Sequence, residues 1–389
     1  MVRRFFTLNF LDAFIAGITT VAVPLLMLEH GIGVAAIGLA FSLMPLAKLV
    51  VRLGSSALAD SVGERALYAL NALSNLAQSV VYSFFATPAG FSAGKMIEGA
   101  KESFIWSVNR TSIMAKAPHR AHYVLGEMVS GRLFYNGLGS LAVWLLFPFG
   151  GFGLLLALMA ALSCVSLAIS LKVENVSRMG RPSLSDFSFL GREKRFYETI
   201  GAMASGSAFY VPLLYMILPL YFKFAGFSLQ DIGMMYAAYF LIFGISLNAL
   251  SSRKAPSFAV AVAGVALFVA SLSGIAFAPA GLAPAFFLAM SFGDACLALL
   301  FEEILYLQTR NKSKKSTEIA LMHIPTLLAV MAVSGASGFA IDGFGFAPLL
   351  MAGALSLVAF GAWGMRLAAG AAQRRLCPEW LAFADRKAR

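Results

Sequence analysis

Charged residues are scarce in this chain, at 13% of its 389 residues. A soluble protein carries about 25% charged residues. Hydrophobic residues make up 59% of the sequence, and the mean hydropathy is +0.79. A soluble fold could not bury that much apolar surface. The composition therefore excludes an ordinary soluble protein and predicts one that crosses a membrane several times.

Cysteine is scarce as well, and common cofactor motifs are missing from the sequence. Cys164, Cys296 and Cys377 lie far apart, so their spacing indicates neither a zinc site nor a disulfide framework. No G-x-x-x-x-G-K-[ST] nucleotide-binding loop occurs. We therefore expect no metal and no other cofactor. Any transport would have to draw on an ion gradient.

Turns and charges divide the chain into about twelve stretches long enough to span a bilayer. They lie near residues 5–28, 35–58, 66–86, 91–114, 122–147, 151–171, 198–222, 229–250, 257–278, 282–308, 317–342 and 345–368. The longest polar stretch lies in the middle of the chain and is basic. This order predicts an all-α integral membrane protein of twelve transmembrane helices in two pseudo-symmetric six-helix bundles.

The same pattern predicts the domain boundaries. The two bundles are expected at 1–171 and 198–368, with a cytoplasmic linker at 172–197 and a cytoplasmic tail at 369–389. Pro378, within Cys377–Trp380, is expected to break the helix in that tail.

The basic charge of the chain follows the predicted topology. The formal net charge is +11. With the N-terminus inside, about 25 of the 30 Lys and Arg residues fall on the cytoplasmic side, as the positive-inside rule requires. We therefore expect a monomer in the cell membrane, with both termini cytoplasmic and its basic residues near anionic lipid. A nucleic-acid partner is not expected.

One set of charged residues lies inside the predicted spans. A charge at the bilayer centre costs about 3 kcal/mol, so such residues persist where they face one another or a wet cavity. An aqueous path through the bundle is the expectation that follows. The candidate site residues are Asp12, Lys95, Glu98, Lys101, Glu102, Arg132, Asp294, Glu302 and Glu303.

The fourth span is the densest part of this set. Glu98 and Glu102 are four residues apart and share a helix face, and Lys95 can pair with Glu98. Such a cluster fits a site for a charged substrate or a proton carrier. A structural ion-pair lattice between helices is the alternative.

The remaining charges have similar alternatives. Arg132 could neutralise Glu98 or Glu102, or bind an anionic group of a substrate with both guanidinium nitrogens. Asp12 could carry a proton, or pair with Lys48 or Arg52 of the second span.

The tenth span is equivalent to the fourth under the repeat, so its Asp294 would face the first cluster. Glu302 and Glu303 could belong to the site or to a cytoplasmic gate. Five tyrosines of the seventh and eighth spans either line a cavity or pack: Tyr210, Tyr215, Tyr221, Tyr236 and Tyr239.

The loop between the second and third spans carries a family resemblance. Residues 56–65 read SALADSVGER, which resembles the signature G-x-L-A-D-R-x-G-R-R of the major facilitator superfamily. The match departs from the signature at Ser56, Ser61 and Glu64. The resemblance implies a twelve-helix transporter whose conformational gate includes Asp60, Gly63 and Arg65.

A weaker resemblance lies in the fourth span. Lys95 stands four residues before Gly99, where the family often has an arginine linked to proton coupling. The sequence and the resemblance together predict a secondary active transporter for a small charged or polar organic solute. Alternating access and coupling to protons are expected, with efflux favoured over uptake.

Two other functions remain open from the sequence. A sensor or scaffold on the same fold would carry no solute, and its charge cluster would be dispensable. An intramembrane enzyme is the other, because Ser291-Phe292-Gly293-Asp294 loosely resembles a G-x-G-D protease motif without its first glycine. We expect no enzymatic activity.

Overall fold

The computed structural model describes residues 2–116, 121–175, 188–251, 258–309 and 315–387. Within these ranges the chain is helical and has no β-strand. The α-helices are α1 Val2–Glu29, α2 Val34–Val62, α3 Glu64–Phe84, α4 Pro88–Lys116, α5 Ala121–Ser170, α6 Lys194–Pro212, α7 Leu218–Phe224, α8 Leu229–Ser251, α9 Phe258–Phe277, α10 Ala283–Thr309, α11 Lys315–Phe344 and α12 Phe346–Lys387.

Nine stretches of the described residues are long and apolar enough to cross a membrane. One of them, Gly126–Ser170, has 45 residues and bends at Gly151, whose φ of 57° suits glycine. At about 1.5 Å per residue it is long enough for two crossings. Helices α3 and α4 are of spanning length but carry amide and charged side chains. The all-helical membrane fold is therefore confirmed, while the count of twelve spans stays a prediction.

The fourth of these stretches, Lys194–Phe224, corresponds to the seventh predicted span and is not one regular helix. A π-helical turn, Leu213–Ile217, separates α6 from α7. Proline at positions 212 and 219 brackets this turn. The stretch begins at Lys194, within the segment expected to form the linker.

The last helix is longer than expected. Helix α12 continues to Lys387, so the predicted break at Cys377–Trp380 is wrong. A proline removes one helical hydrogen bond and can kink a helix without ending it.

The helices near the N-terminus pack closely on one another. Helix α1 packs against α5, while α4 packs against both α2 and α3. These contacts bring the polar faces of α1, α3, α4 and α5 together inside the bundle.

Two long contacts join this group to the later helices. Helix α2 packs against α11, and α5 packs against α8. A Cβ added at Gly38 of α2 would lie 2.8 Å from the backbone nitrogen of Gly338 on α11, so the two backbones are almost in contact. Helix α1 also contacts the π turn and α7. Helix α1, which carries Asp12, therefore lies next to α7 and the π turn.

Candidate functional site

A buried ion pair between α1 and α5 forms the centre of the site. Arg132 Nη2 donates to Asp12 Oδ2 at 3.0 Å, and Arg132 Nη1 donates to Asn9 Oδ1 at 2.6 Å. The Asp12 side chain is 1% exposed and that of Arg132 is 8% exposed. An unpaired charge at this depth would be costly, so each ion needs the other. The pair ties α1 to α5.

Amide groups of α3 complete the environment of Asp12. Asn71 Nδ2 and Asn75 Nδ2 donate to Asp12 Oδ1 at 3.1 and 3.0 Å. Asn75 Oδ1 accepts from Lys101 Nζ at 2.8 Å. Lys101 is 1% exposed, although lysine is rarely buried. One asparagine thus links a carboxylate of α1 to an ammonium group of α4.

A second buried pair lies within α4. Lys95 Nζ donates to Glu98 Oε2 at 2.8 Å, as the spacing of three residues predicts. Gln78 Nε2 of α3 donates to the same oxygen at 3.0 Å. The Lys95 ammonium group also lies 3.8 Å from the centroid of the Phe41 ring. This pair is held by three helices and is closed to solvent.

Glu102 is the accessible edge of the network. Its Oε2 accepts from Trp106 Nε1 at 2.8 Å and from Lys48 Nζ at 3.5 Å. Its Oε1 lies 3.9 Å from Arg132 Nη2. The Lys48 and Glu102 side chains are 19% and 14% exposed, more than the other charges of the network. A solute would therefore meet this pair before the buried ones.

The observed pairings differ from one alternative that the sequence left open. The salt bridge of Asp12 is with Arg132 on α5, where the sequence suggested Lys48 or Arg52 of the second span. Lys48 instead pairs with Glu102. The reason is packing: α1 lies against α5, whereas α2 lies against α4. Arg132 also lies near Glu102, as expected, but the Glu102 carboxylate is farther from the guanidinium group than the Asp12 carboxylate is.

A second, smaller cluster surrounds Asp294 of α10. Asp294 Oδ2 accepts from the hydroxyl of Tyr210 at 3.0 Å and from that of Tyr239. Asp294 is 3% exposed. The Tyr239 ring stacks on Phe287, with centroids 4.5 Å apart. A single carboxylate is thus enclosed by α6, α8 and α10.

Glu302 and Glu303 do not join the Asp294 cluster. They lie eight and nine residues further along α10, about 12 Å away at the helical rise. Both are half-buried. Their assignment to the site or to a gate stays a prediction.

Tyr215 belongs to an element that lies next to both clusters. It is part of the π turn and is half-buried. The π turn contacts α1, which carries Asp12, and it accepts a hydrogen bond from Tyr236 of α8, the helix whose Tyr239 binds Asp294. The two groups of charges therefore share one neighbour.

The predicted gate lies at the turn between α2 and α3. Gly63 has φ 85°, which favours glycine. A Cβ at Gly63 would lie 2.6 Å from the side chain of Asn175, whose Oδ1 accepts the Arg65 N–H at 3.0 Å. Asn175 thus caps α3 from a distant part of the chain, since Gly63 has no side chain to do so. Asp60 lies in α2, and its side chain is outside the described part.

Sequence reasoning missed the neutral members of the network. Asn71, Asn75 and Gln78 follow one another at spacings of four and three residues, and therefore share one face of α3. Asn9 and Asn109 add a further link, with Asn109 Nδ2 donating to Asn9 Oδ1 at 2.7 Å. Amides recurring at helical spacing in an apolar stretch were the available signal. A search for charge alone overlooks them.

Comparison with known proteins was made by sequence and by structure. The model of the Major Facilitator Superfamily matches residues 5–310. Among curated protein sequences, none matches the chain significantly.

Solved structures with a similar fold include three transporters. The human organic anion transporter MFSD10 (TETRAN) has a TM-score of 0.66 at 16% identity, covering 93% of this chain and 99% of that one. The D-xylose-proton symporter has 0.69 at 14%, covering 95% and 97%. The nucleoside transporter NupG has 0.70 at 13%, covering 94% and 98%. At these identities the likeness shows the fold.

Proposed function

Because the chain belongs to the major facilitator superfamily, we propose that it is a secondary active transporter for a small charged or polar organic solute. Two halves, 1–171 and 198–368, rock about a central site and expose it to each side of the membrane in turn. The segment 172–197 links the halves.

The observation that carries this proposal is the network of ionisable side chains inside the bundle. Five of its members are buried, so none of them faces lipid: Asp12, Lys95, Glu98, Lys101 and Arg132. Charges buried inside a membrane bundle mark pathways for ions and solutes. The network ends at an accessible pair, Lys48 and Glu102.

Protons are the proposed coupling ion. A proton on Asp12 would remove the charge that Arg132 pairs with, and would leave the guanidinium free to bind an anionic group of a solute. Asp294 offers a second place for a proton, between two tyrosine hydroxyls. Proton binding and solute binding would then depend on the same side chains.

Direction and location belong to the same proposal. We favour efflux over uptake, in the cell membrane, with both termini cytoplasmic and the protein a monomer in contact with lipid. The distribution of Lys and Arg along the sequence supports this orientation. The three structural neighbours carry an organic anion, a sugar with protons, and nucleosides, so they suggest probes and do not select one.

Proteoliposomes test the proposal. D-xylose, a nucleoside and an organic anion are supplied as probes, with and without a pH gradient, and a trapped pH-sensitive dye follows protons. We expect flux of at least one probe that the gradient accelerates. Asp12→Asn should reduce gradient-driven flux at least about tenfold, because it removes the charge that Arg132 needs.

The matched control is Glu29→Gln, which neutralises an exposed carboxylate at the end of the same helix. It should transport as the parent does. If the flux changes neither with the pH gradient nor with Asp12→Asn, proton coupling through this network is refuted.

A sensor or scaffold is the second candidate, and one observation favours it. Every charge of the network already has a partner, as a structural lattice requires. That function predicts no flux of any solute, together with reduced stability when the pairs are broken.

The geometry around Asp294 offers less support to an enzyme. Its hydrogen-bond partners within the described ranges are two tyrosine hydroxyls, whereas an aspartyl protease needs a second carboxylate.

A further inference from the structure

The π turn between α6 and α7 deprives the Leu214 carbonyl of its usual backbone donor. Leu218 N–H donates to Leu213 O, five residues back, where an α-helix would use Leu214 O. In a π pattern the donor to Leu214 O would be residue 219, but that residue is proline and has no N–H.

Tyr236 of α8 supplies the missing donor. Its hydroxyl donates to Leu214 O at 2.7 Å. Tyr236 is fully buried, and its ring centroid lies 4.9 Å from that of Phe287. A buried carbonyl without a partner is costly, so this hydrogen bond stabilises the π turn.

Tyr215 follows Leu214 in the π turn, and the turn sets the position of its side chain. Leu214 and Met216 on either side are 1% and 0% exposed, whereas Tyr215 is half-buried. No described residue forms a hydrogen bond with the Tyr215 hydroxyl. The hydroxyl oxygen is also not fully buried. The hydroxyl therefore keeps some exposed surface, in a turn that contacts α1 and is hydrogen-bonded to α8.

We propose that Tyr215 binds the solute, and that Tyr236 positions Tyr215 by holding the Leu214 carbonyl in the π turn. A phenol hydroxyl both donates and accepts, so it selects solutes that present a hydroxyl, carbonyl or carboxylate group. π turns occur frequently at functional sites for this reason: they re-aim a side chain. The inference rests on the proposed transport function and adds a residue and its support to it.

Thiol labelling tests the position of Tyr215 without a known solute. In a chain whose three cysteines are replaced by serine, Tyr215→Cys is treated with 2-sulfonatoethyl methanethiosulfonate. The thiolate attacks the reagent, forms a mixed disulfide and releases methanesulfinate. We expect Tyr215→Cys to react at least about tenfold faster than the buried neighbour Leu214→Cys, because thiol reactivity follows exposure. Equal rates would overturn the proposal.

The role of Tyr236 is tested in the same background. Adding Tyr236→Phe should slow the labelling of Tyr215→Cys at least about threefold, because the turn loses the donor that fixes it. The matched control is Tyr221→Phe, since the Tyr221 hydroxyl also donates to a backbone carbonyl, Ile275 O at 2.8 Å. The control should leave the rate unchanged. A similar effect of both variants would refute positioning by Tyr236.

Transport measurements distinguish a failure of this inference from a failure of the proposed transport function. For whichever probe is carried in proteoliposomes, Tyr215→Phe should raise the half-saturating concentration at least about threefold, with less effect on the maximal rate. An unchanged half-saturating concentration would exclude Tyr215 from solute binding. If no probe is carried, the proposed function fails, while the labelling rates still decide whether Tyr215 is accessible and held by Tyr236.

Discussion

At the scale of single residues, Arg132 of α5 contacts residues on both α1 and α4. Its guanidinium group donates to Asp12 and Asn9 on α1, lies 3.9 Å from Glu102 on α4, and is 5.1 Å from the Trp106 ring centroid. The planar group presents five N–H donors in a fixed fork, a geometry that the three donors of a lysine do not reproduce. We therefore expect the stability of the fold and the proposed transport to depend on the same side chain.

Removal of Arg132 should destabilise the fold. Arg132→Ala leaves Asp12 buried without its cation, which costs about 3 kcal/mol or more. Arg366→Ala is the control, because the Arg366 side chain is 76% exposed and its pair with Glu198 is 3.9 Å long. An exposed pair contributes about 0–1 kcal/mol. Thermal unfolding in detergent should show a clearly larger loss for Arg132→Ala.

A double variant separates pairing from packing. If the ion pair accounts for the loss, Asp12→Ala combined with Arg132→Ala should destabilise less than the sum of the single variants. Additive losses would mean that the two residues act independently, against the geometry described here.

At the scale of elements, the predictable features were local ones. The pair Lys95 and Glu98 followed from a spacing of three residues, and the turn at Gly63 followed from a short motif. The pair Asp12 and Arg132 joins residues 120 positions apart, and its choice over Lys48 depends on which helices pack together. The helix positions could be read from hydropathy, but the π turn could not, because a hydrogen bond that stabilises it comes from the distant helix α8.

The turn between α2 and α3 offers a test at this scale. Gly63→Ala places a side chain at φ 85° and within 2.6 Å of Asn175, so it should destabilise the protein by about 1–3 kcal/mol. Gly31→Ala is the matched control, with φ 73° and nothing within 4 Å of the added Cβ. Gly31→Ala should lower the free energy of unfolding by less, because it adds backbone strain without a collision.

Asn175→Ala gives the complementary measurement. Asn175→Ala alone should lower the unfolding temperature, because α3 loses its cap. In the Gly63→Ala background it should lower it less, because it also removes the atoms with which the new Cβ collides. An equal loss in both backgrounds would show that the collision with Asn175 is unimportant.

At the scale of the whole molecule, the contact between α2 and α11 is a candidate point of separation during transport. A Cβ at Gly335 would lie 3.5 Å from the Cβ of Ser42, which suits a disulfide. We expect Ser42→Cys with Gly335→Cys, in a chain without its native cysteines, to cross-link on oxidation and to stop flux. Reduction should restore flux in the same sample, which is its own control.

A cross-linked protein that transports normally would contradict separation of the helices at this point. It would leave the buried network in place but would require another route for the solute.

The polarity of α3 and α4 also bears on how the chain is made. These two helices are not among the nine apolar stretches, and α4 alone carries four charges in mid-helix. Each would cost about 2.5–3.5 kcal/mol on its own during insertion by the translocon. Their partners lie on both sides in sequence, from Asp12 to Arg132. The ribosome must therefore synthesise α5 before α4 gains its full set of partners, and we expect the first five helices to enter the lipid as a group.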